Sequence, residues 1–303
     1  FVNNGIMALF DSATYMIDGK NIESIQKDVD VATTIFGLAR YSDDYSRSAD
    51  ERFSCAIPLV RKDTDDDAIW HAEGVNAAAT MALHSKVVLS KLSLWMPVMT
   101  PTISEEDRLL SLMSQGGKSA LSWLMMTTDF VQSAINGLFT WQIASQQGVS
   151  APRHIFIALQ NIARVNNQTQ SIMIFDKLGV SEVSLRINGH QEPAKDILLN
   201  FAQNSVAHAY HPLMTFMGHD QNIDTSLQIS QRDFTTLYPI YYFSLEHLDL
   251  TRQSVGDIHF RALVDRGAIP NYRAIAVTLS DKSMLLEGVG GRMRVIDAPL
   301  ENM

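Results

Sequence analysis

The chain carries one short pattern twice. The first copy runs from Leu9-Phe10-Asp11 to Ile17-Asp18-Gly19, and the second runs from Ile174-Phe175-Asp176 to Ile187-Asn188-Gly189. The two turn glycines lie 170 positions apart, which is much longer than the roughly 20 to 50 residues of a solenoid or propeller repeat. The repeat therefore predicts two copies of one domain in tandem.

Each copy predicts the same local order of elements. An aliphatic-Phe-Asp start leads through a β-like segment to an Asp-Gly or Asn-Gly turn, and a helix-like stretch follows. In the first copy the spaced apolar residues Val31, Ile35 and Leu38 favour a helix within residues 22–45. In the second copy we expect a helix from Ile197 to Met217.

Alternation of apolar and polar residues predicts strands through most of the second half. In the strand predicted for Val180–Ile187, Val183, Leu185 and Ile187 face one way, and Ser184 and Arg186 face the other. The other strands predicted there are Ser119–Thr127, Leu138–Ser145, His154–Gln160, Asp233–Glu246, Asp257–Val264, Tyr272–Leu279 and Ser283–Ile296. Short strands interrupted by single helices favour antiparallel sandwiches over an α/β sheet.

The predicted domain boundary lies between residues 103 and 104. Residues 80–99 read as one long strand with a change of phase, and Pro97 and Pro101 end it. Ser104 and Asp107 then resemble a capping box that opens a helix, and Gly116-Gly117 closes it. We expect one domain at 1–103 and another at 104–303.

Composition limits the classes of function. The net charge of −9 and the absence of a basic stripe argue against nucleic-acid coating, which needs Lys and Arg opposite phosphates. Cys55 is the only cysteine, so no disulfide forms within the chain and a reducing compartment is the simpler expectation. The longest apolar runs fall short of the roughly 20 residues of a membrane span, and no signal peptide opens the sequence. Apolar residues make up 46% and charged residues 19%, which favours a surface partly covered by partners.

No arrangement of residues predicts catalysis, a cofactor or a metal. His208 and His211 have helical spacing but no HExxH glutamate and no third ligand, so we interpret them as packing or surface residues. The stretch Gly218-His219-Asp220 lacks a nucleophile elbow, and no cupin-like histidine cluster is present. The run from Gly288 to Gly291 has no following Lys-Ser/Thr and is interpreted as a turn.

Three further features have ordinary interpretations. The acidic run 61–67 is interpreted as a solvated loop rather than a cation site, and the acceptor triplet at Asn167 as unused. Core packing is expected for Trp95, Trp123 and Trp141. Trp70 is the tryptophan that we select as a candidate for a subunit contact.

A set of short segments is spread from end to end of the chain, and none of them is specific alone. They are residues 1–5 through Asp18-Gly19, Phe53–Leu59 (FSCAIPL), Leu92–Pro101 (LSLWMPVMTP), Pro152–Gln160 (PRHIFIALQ) with Asn167, Phe175-Asp176, Ile187-Asn188-Gly189, Asp257–Phe260 and Arg273–Val277. Their order resembles that of the major capsid proteins of the double jelly-roll lineage, most closely those of Polinton/Maverick elements, adintoviruses and virophages.

The resemblance implies an all-β fold of two tandem jelly-roll sandwiches with inserted helices. It also implies a structural, non-enzymatic capsid protein. In this family three chains form a homotrimer whose six rolls make a pseudo-hexameric capsomer, and capsomers tile the icosahedral shell of the virion. The implied partners are copies of the chain and penton or minor capsid proteins, with assembly inside the host cell.

Two departures from the family concern the first roll. The usual N-terminal segment is absent, and the stretch between Leu59 and Trp70 is short, so we expect a truncated or shortened first roll and an intact second one. A second hypothesis is therefore a defective or domesticated capsid protein. A carbohydrate-binding or enzymatic β-sandwich is the alternative from a different class.

Overall fold

The computed structural model describes the second half of the chain most fully. The residues it describes are 7, 10–17, 19–41, 100–114, 118–135, 137–144, 152–164, 174–218, 229–248, 257–265, 269–289 and 292–296. The expectations for residues 42–99 lie outside them, including Cys55, the acidic run, Trp70, Trp95 and the long strand. So do Asn167, His219, Asp220 and Gly290-Gly291.

The described residues form short helices and many strands. The strands are β1 (Ala13–Ile17), β2 (Lys20–Ile25), β3 (Lys118–Ile135), β4 (Leu138–Ile143), β5 (Pro152–Asn161), β6 (Val180–Ile187), β7 (His190–Leu198), β8 (Ile240–Ser244), β9 (Ile258–Val264), β10 (Ile269–Val289) and β11 (Arg292–Ile296). The α-helices are α1 (Val29–Arg40), α2 (Ile103–Ser114), α3 (Ala207–Phe216) and α4 (Gln231–Thr236), and a 3-10 turn covers Ile162–Arg164.

Strands β3 to β10 form a jelly roll. Sheet I has the order β3-β10-β5-β8, and β11 pairs with the end of β10; sheet II has the order β4-β9-β6-β7. All of these pairs are antiparallel. Successive strands alternate between the two sheets, except for the hairpin that joins β6 to β7, and this is the order of a jelly roll. The predicted all-β fold and the intact second sandwich are confirmed.

The core lies between the sheets, and a second apolar layer lies outside sheet I. Phe260 on β9 contacts the rings of Tyr241 and Phe243 on the inner face of sheet I, with centroids 6.4 and 6.3 Å apart. Every residue of β5 from 154 to 160 is buried, so both faces of this strand are covered. Sheet II differs, because only one of its faces is covered: β9 buries every second residue, as the sequence predicts.

Both copies of the repeated pattern fold as a hairpin followed by a helix. Ile17 pairs with Lys20 in the first copy, and Ile187 pairs with His190 in the second, so each turn is two residues long. Asn188 and Gly189 have φ of 49° and 83°, the mirror-image turn that fits the twist of a hairpin and favours Asn-Gly. Helix α1 follows the first hairpin and α3 follows the second. The repeated sequence pattern therefore corresponds to a repeated structure, a hairpin followed by a helix.

Helix α1 is buried although it belongs to the predicted first domain. Ile35, Leu38 and Ala39 have no exposed surface, and they join the same apolar cluster as the core of the second roll. The helix contacts β10 and α3. Within the described residues, the first half of the chain therefore lies against the second.

Three predicted elements are corrected by local signals. Residues 22–25 and 197–198 are strand rather than helix, because they pair with β1 and β6. Residues 233–236, the start of the strand predicted for Asp233–Glu246, are helix rather than strand, because Ser230 and Asp233 form a capping box that opens α4. Helix α2 begins at Ile103, one residue before the predicted cap at Ser104.

The two strands predicted for Tyr272–Leu279 and Ser283–Ile296 divide differently. Strand β10 runs without interruption through the polar residues 280–282, because Asp281 and Lys282 pair with β3. The break comes later, where Val289 lies opposite Arg292 and β11 returns along β10. The turn predicted for Gly288–Gly291 is therefore wrong for Gly288, which lies within β10 and pairs with Met293, and Gly290-Gly291 lie outside the described residues.

Candidate assembly surfaces

The outer face of sheet I is covered by helices, so this face is internal to the chain. Phe216, the last residue of α3, contacts the rings of His154, Phe156 and Tyr242 with centroids 4.9, 5.0 and 5.1 Å away. At its other end, Tyr210 of α3 donates its hydroxyl proton to the carbonyl of Ile229, at 2.6 Å. Helix α3 is thus held against sheet I at its last turn and bound near its start to Ile229, which lies just before α4.

A histidine lies beneath the end of α3. The side chain of His154 is 7% exposed, and its Nδ1 lies 2.9 Å from the hydroxyl oxygen of Tyr242. Its Nε2 lies 3.6 Å from the carboxylate of the exposed Glu246. Burial lowers the pKa of His154 below its ordinary value, because the charged ring loses solvation. Burial raises the pKa of Tyr242 to about 12, so this hydroxyl stays protonated.

A second polar cluster joins the two halves of the chain on the same face. Arg273 of β10 donates from Nε to the Gln160 side-chain oxygen at 2.8 Å, and from Nη1 to the Asp28 carboxylate at 2.7 Å. Arg273 is buried, and Asp28 directly precedes α1 with a left-handed φ of 52°. The ion pair thus fixes the start of α1 against sheet I.

Residues 22–27 lie along the outer edge of β3 and bind its polar groups. The backbone N–H of Met126 donates to the carboxylate of Glu23, at 3.0 Å, and the Thr128 hydroxyl donates to the carbonyl of Lys27, at 3.0 Å. Lys282 on β10 reaches the carbonyl of Ile22, at 2.6 Å. Because an unpaired strand edge invites pairing with another chain, these contacts protect the middle of β3.

The outer face of sheet II is open to solvent and mostly polar, with Leu138 on β4 55% exposed. Arg261 and Asp196 form a half-buried ion pair there at 3.5 Å. Gln142 donates to Asp257 at 2.8 Å, and Thr140 and Arg186 are exposed. A polar, solvated sheet face needs no partner to be stable.

Several exposed apolar residues lie on α2 and at one end of the roll. Strands β3 and β10 continue past β5, whose pairing with β10 ends at Ser280, and with β11 they form a three-stranded extension (residues 118–124, 281–289 and 292–296). On this extension Leu121 and Leu124 are 44% and 42% exposed. Helix α2, which contacts β10, exposes Leu109 and Leu110 by 49% and 53%. Clustered exposed apolar residues are typical of interaction surfaces.

The residues considered for metal binding or catalysis do not come together in the described part of the chain. His208 and His211 are exposed on α3, and the described residues contain no group of three His, Cys, Asp or Glu side chains that could hold a metal. Gly218 follows α3 with a positive φ of 75°. Among the described helices, none combines the length and apolar character of a membrane span.

The two described tryptophans differ. Trp141 is buried in the core of the roll, as predicted. Trp123 is half-buried on the extension, where the Lys282 ammonium lies 5.8 Å from its ring centroid. Since Trp123 stays partly exposed, it adds an aromatic ring to the apolar extension.

Sequence analysis did not single out the buried polar residues His154, Gln160 and Arg273. A signal was present, since His154 and Gln160 flank the apolar run 155–159 of β5 and Arg273 directly precedes the apolar run 274–277 of β10. A polar residue within a strand buried on both faces must find a partner, because an unpaired polar group there costs about 1–3 kcal/mol. Their partners Asp28 and Tyr242 could not be identified from spacing, because they lie 245 and 88 positions away.

Three solved structures are similar to this chain at low sequence identity. They are the PBCV-1 virus capsid (10% identity, TM-score 0.28, 60% of this chain and 52% of that one), the Sputnik virophage (12%, 0.33, 61% and 41%) and the mavirus major capsid protein (8%, 0.32, 61% and 44%). The chain thus spans about half the length of these relatives or less. No curated protein matches its sequence.

The family assignment rests on the sequence and on the roll itself. A family model described as a double jelly roll-like domain matches residues 37–240, about two thirds of the chain. The match begins within α1 and ends at the start of β8, so it covers most of the second roll and the sequence that precedes it. The chain belongs to the double jelly roll-like domain family.

Proposed function

We propose that this chain is a structural capsid protein, without enzymatic activity, that assembles as a homotrimer. Membership of the double jelly roll-like domain family carries the proposal. The segments that resemble double jelly-roll major capsid proteins support the capsid role, because they follow in the same order through the chain. The two rolls are assigned to residues 1–103 and 104–303.

In this proposal three chains place six rolls around a threefold axis, and the resulting pseudo-hexameric capsomers tile the shell of a virion. Self-association then takes the place of an active site. Two unlike rolls in one chain present different surfaces, so a heterologous contact can close into a ring of three. Penton and minor capsid proteins are the further partners, and assembly takes place inside the host cell.

We assign the subunit contact to α2 and the three-stranded extension. This region exposes four leucines, Leu109 and Leu110 on α2 and Leu121 and Leu124 on β3. Sheet I is covered by the chain's own helices, and sheet II presents paired charges. Burying leucines between subunits stabilises association by roughly 25 cal/mol for each Å² of apolar surface removed from water.

Light scattering on the purified chain tests the proposal. We expect a mass near three times 33.8 kDa. Leu121→Lys should shift the mass toward the monomer while leaving the melting temperature of the fold nearly unchanged, since Leu121 is 44% exposed. The matched control is Thr140→Lys, at an exposed position on the open face of sheet II, which should remain trimeric. A strictly monomeric wild-type chain at micromolar concentration contradicts the trimer, and dissociation by Thr140→Lys alone moves the contact to sheet II.

A further inference from the structure

We propose that His154 makes the packing of α3 on sheet I sensitive to acid: the charged ring moves toward Glu246 and loosens its contact with Phe216. This is a conformational property of the single chain, and it does not depend on assembly.

The geometry around the ring accommodates a neutral imidazole. One face of the site is the ring of Phe216 at 4.9 Å, and the ring of Tyr242 lies 6.0 Å away on the sheet. Nδ1 shares a hydrogen bond with the Tyr242 hydroxyl at 2.9 Å. The solvent side leads to Glu246, which is 62% exposed. A neutral ring has one donor and one acceptor nitrogen, and Tyr242 satisfies one of them.

Protonation changes the hydrogen-bond partners that the His154 ring requires. Both nitrogens then become donors, so Nε2 requires an acceptor. The Glu246 carboxylate is the nearest anion, but its distance of 3.6 Å from Nε2 is longer than an ordinary hydrogen bond. Closing that gap moves the ring outward, or the carboxylate inward. An outward ring leaves the aromatic cluster under the last turn of α3.

The surrounding charges do not cancel the cost of burial. Arg153 on β5 and Arg40 at the end of α1 oppose a charged His154, whereas Glu246 and Asp281 on β10 favour it. Asp281 is already paired with Arg153, and α3 itself presents the uncharged Phe216. Burial is the largest influence, and it lowers the pKa of His154 below 6.5. Folding therefore loses stability as the pH falls below the unfolded value of 6.5, because the unfolded chain binds the proton more readily.

The loosening is confined to the last turn of α3. The first turns are held by Tyr210, whose hydroxyl donates to the Ile229 carbonyl. Burial raises the pKa of Tyr210 to about 12, so this contact does not titrate between neutral and mildly acidic pH. Acid should therefore act on the turn that contains Phe216 and leave β6, on the other sheet, unchanged.

Amide hydrogen exchange of the full chain at about pH 7.5 and about pH 5.5, corrected for intrinsic exchange rates, tests this inference. We expect the protection of residues 213–217 to fall several-fold at the lower pH while that of 183–187 stays constant. In His154→Gln, which keeps a polar head and cannot charge, the fall should disappear. His211→Gln, at an exposed histidine of the same helix, should behave as wild type.

Equal protection at both pH values in the wild-type chain overturns the inference, and so does a fall that survives in His154→Gln. A second variant keeps the test decisive if His154→Gln does not fold. Glu246→Gln removes the anion toward which the charged ring moves, so it should make the acid-induced loss of protection shallower by about twofold to fivefold, the range of an exposed ion pair. A deeper loss in Glu246→Gln contradicts the role of Glu246. The NMR titration midpoint of the His154 ring should lie below about 6.5 in the wild-type chain and lower still in Glu246→Gln. A wild-type midpoint above about 6.5 also contradicts the inference.

Discussion

Arg273 and Asp28 form a buried ion pair, with Nη1 of the guanidinium 2.7 Å from Oδ1 of the carboxylate. The side chains are 6% and 18% exposed, and 245 residues separate them in sequence. Arg273 also donates to Gln160, so its guanidinium is bound by both β5 and the start of α1. The pair fixes the contact between the two halves of the chain.

Asp28→Asn should destabilise the fold by about 2–4 kcal/mol, because it takes from the buried guanidinium of Arg273 the carboxylate that binds it. Asparagine tolerates the left-handed backbone at position 28, where φ is 52°, so the loss reports the charge rather than strain. Urea denaturation measures the free energy of unfolding.

The matched control for that loss is Asp281→Asn. Its partner Arg153 lies on the same sheet, but the two side chains are 35% and 47% exposed. Solvent screens such a pair, so we expect a cost below about 1 kcal/mol. If Asp28→Asn and Asp281→Asn lose equal free energy of unfolding, burial of Arg273 does not make its ion pair more stabilising than the exposed pair of Arg153.

Two buried tyrosines should respond in opposite ways to removal of the hydroxyl. Tyr241 is 1% exposed, and among the described residues its hydroxyl has no hydrogen-bond partner. Tyr241→Phe should therefore leave stability unchanged or raise it by up to about 1 kcal/mol. Tyr210→Phe should lower it by about 1–2 kcal/mol, because the Ile229 carbonyl loses its donor. Thermal unfolding of both variants measures the difference, and a larger loss in Tyr241→Phe refutes it.

The hairpin turn of the second repeat should depend on its glycine. Gly189 has a φ of 83°, and an added Cβ would meet nothing within 4 Å, so the cost of Gly189→Ala is one of backbone strain. We expect a loss of roughly 1–2 kcal/mol. Gly19→Ala, with a φ of 76° and equally open space, should lose a similar amount in denaturant unfolding. If both alanine variants match wild type, the turns are not a source of the hairpin geometry.

Helix α1 should be required for the stability of the second roll. Leu38 has no exposed surface, and it belongs to the apolar cluster of that roll. Leu38→Ala should cost about 2–5 kcal/mol through lost burial and the cavity it leaves. The half-buried Thr33 on the same helix donates its hydroxyl to the carbonyls of Val29 and Asp30, at 2.6 and 3.1 Å, and Thr33→Ala should cost less than about 1 kcal/mol. Equal unfolding midpoints for Leu38→Ala and wild type would place α1 outside the cooperative unit.

The sequence patterns predicted the second roll well where each strand buries one face. The strand Val180–Ile187 has the predicted bounds, and the alternation in β9 is the predicted one, because these strands face the core on one side and solvent on the other. The type or length of an element was predicted wrongly where a side-chain cap or pairing with a distant strand determined it. The capping box at Ser230 made a helix, and pairing with β3 carried β10 through Asp281 and Lys282.

The repeat predicted the two hairpins but not where their helices lie. Both α1 and α3 contact the second roll, and the contacts of α1 involve residues more than two hundred positions away. Periodicity reports which face of a helix is apolar, and it does not report which sheet covers that face. The exposed leucines of α2 were likewise indistinguishable by sequence from core residues.

Electron microscopy of the purified chain tests the central claim most directly. The account predicts threefold particles with a pseudo-hexagonal outline, because each of three chains contributes two upright rolls. Particles that contain a single chain, or rings with another symmetry, would contradict it.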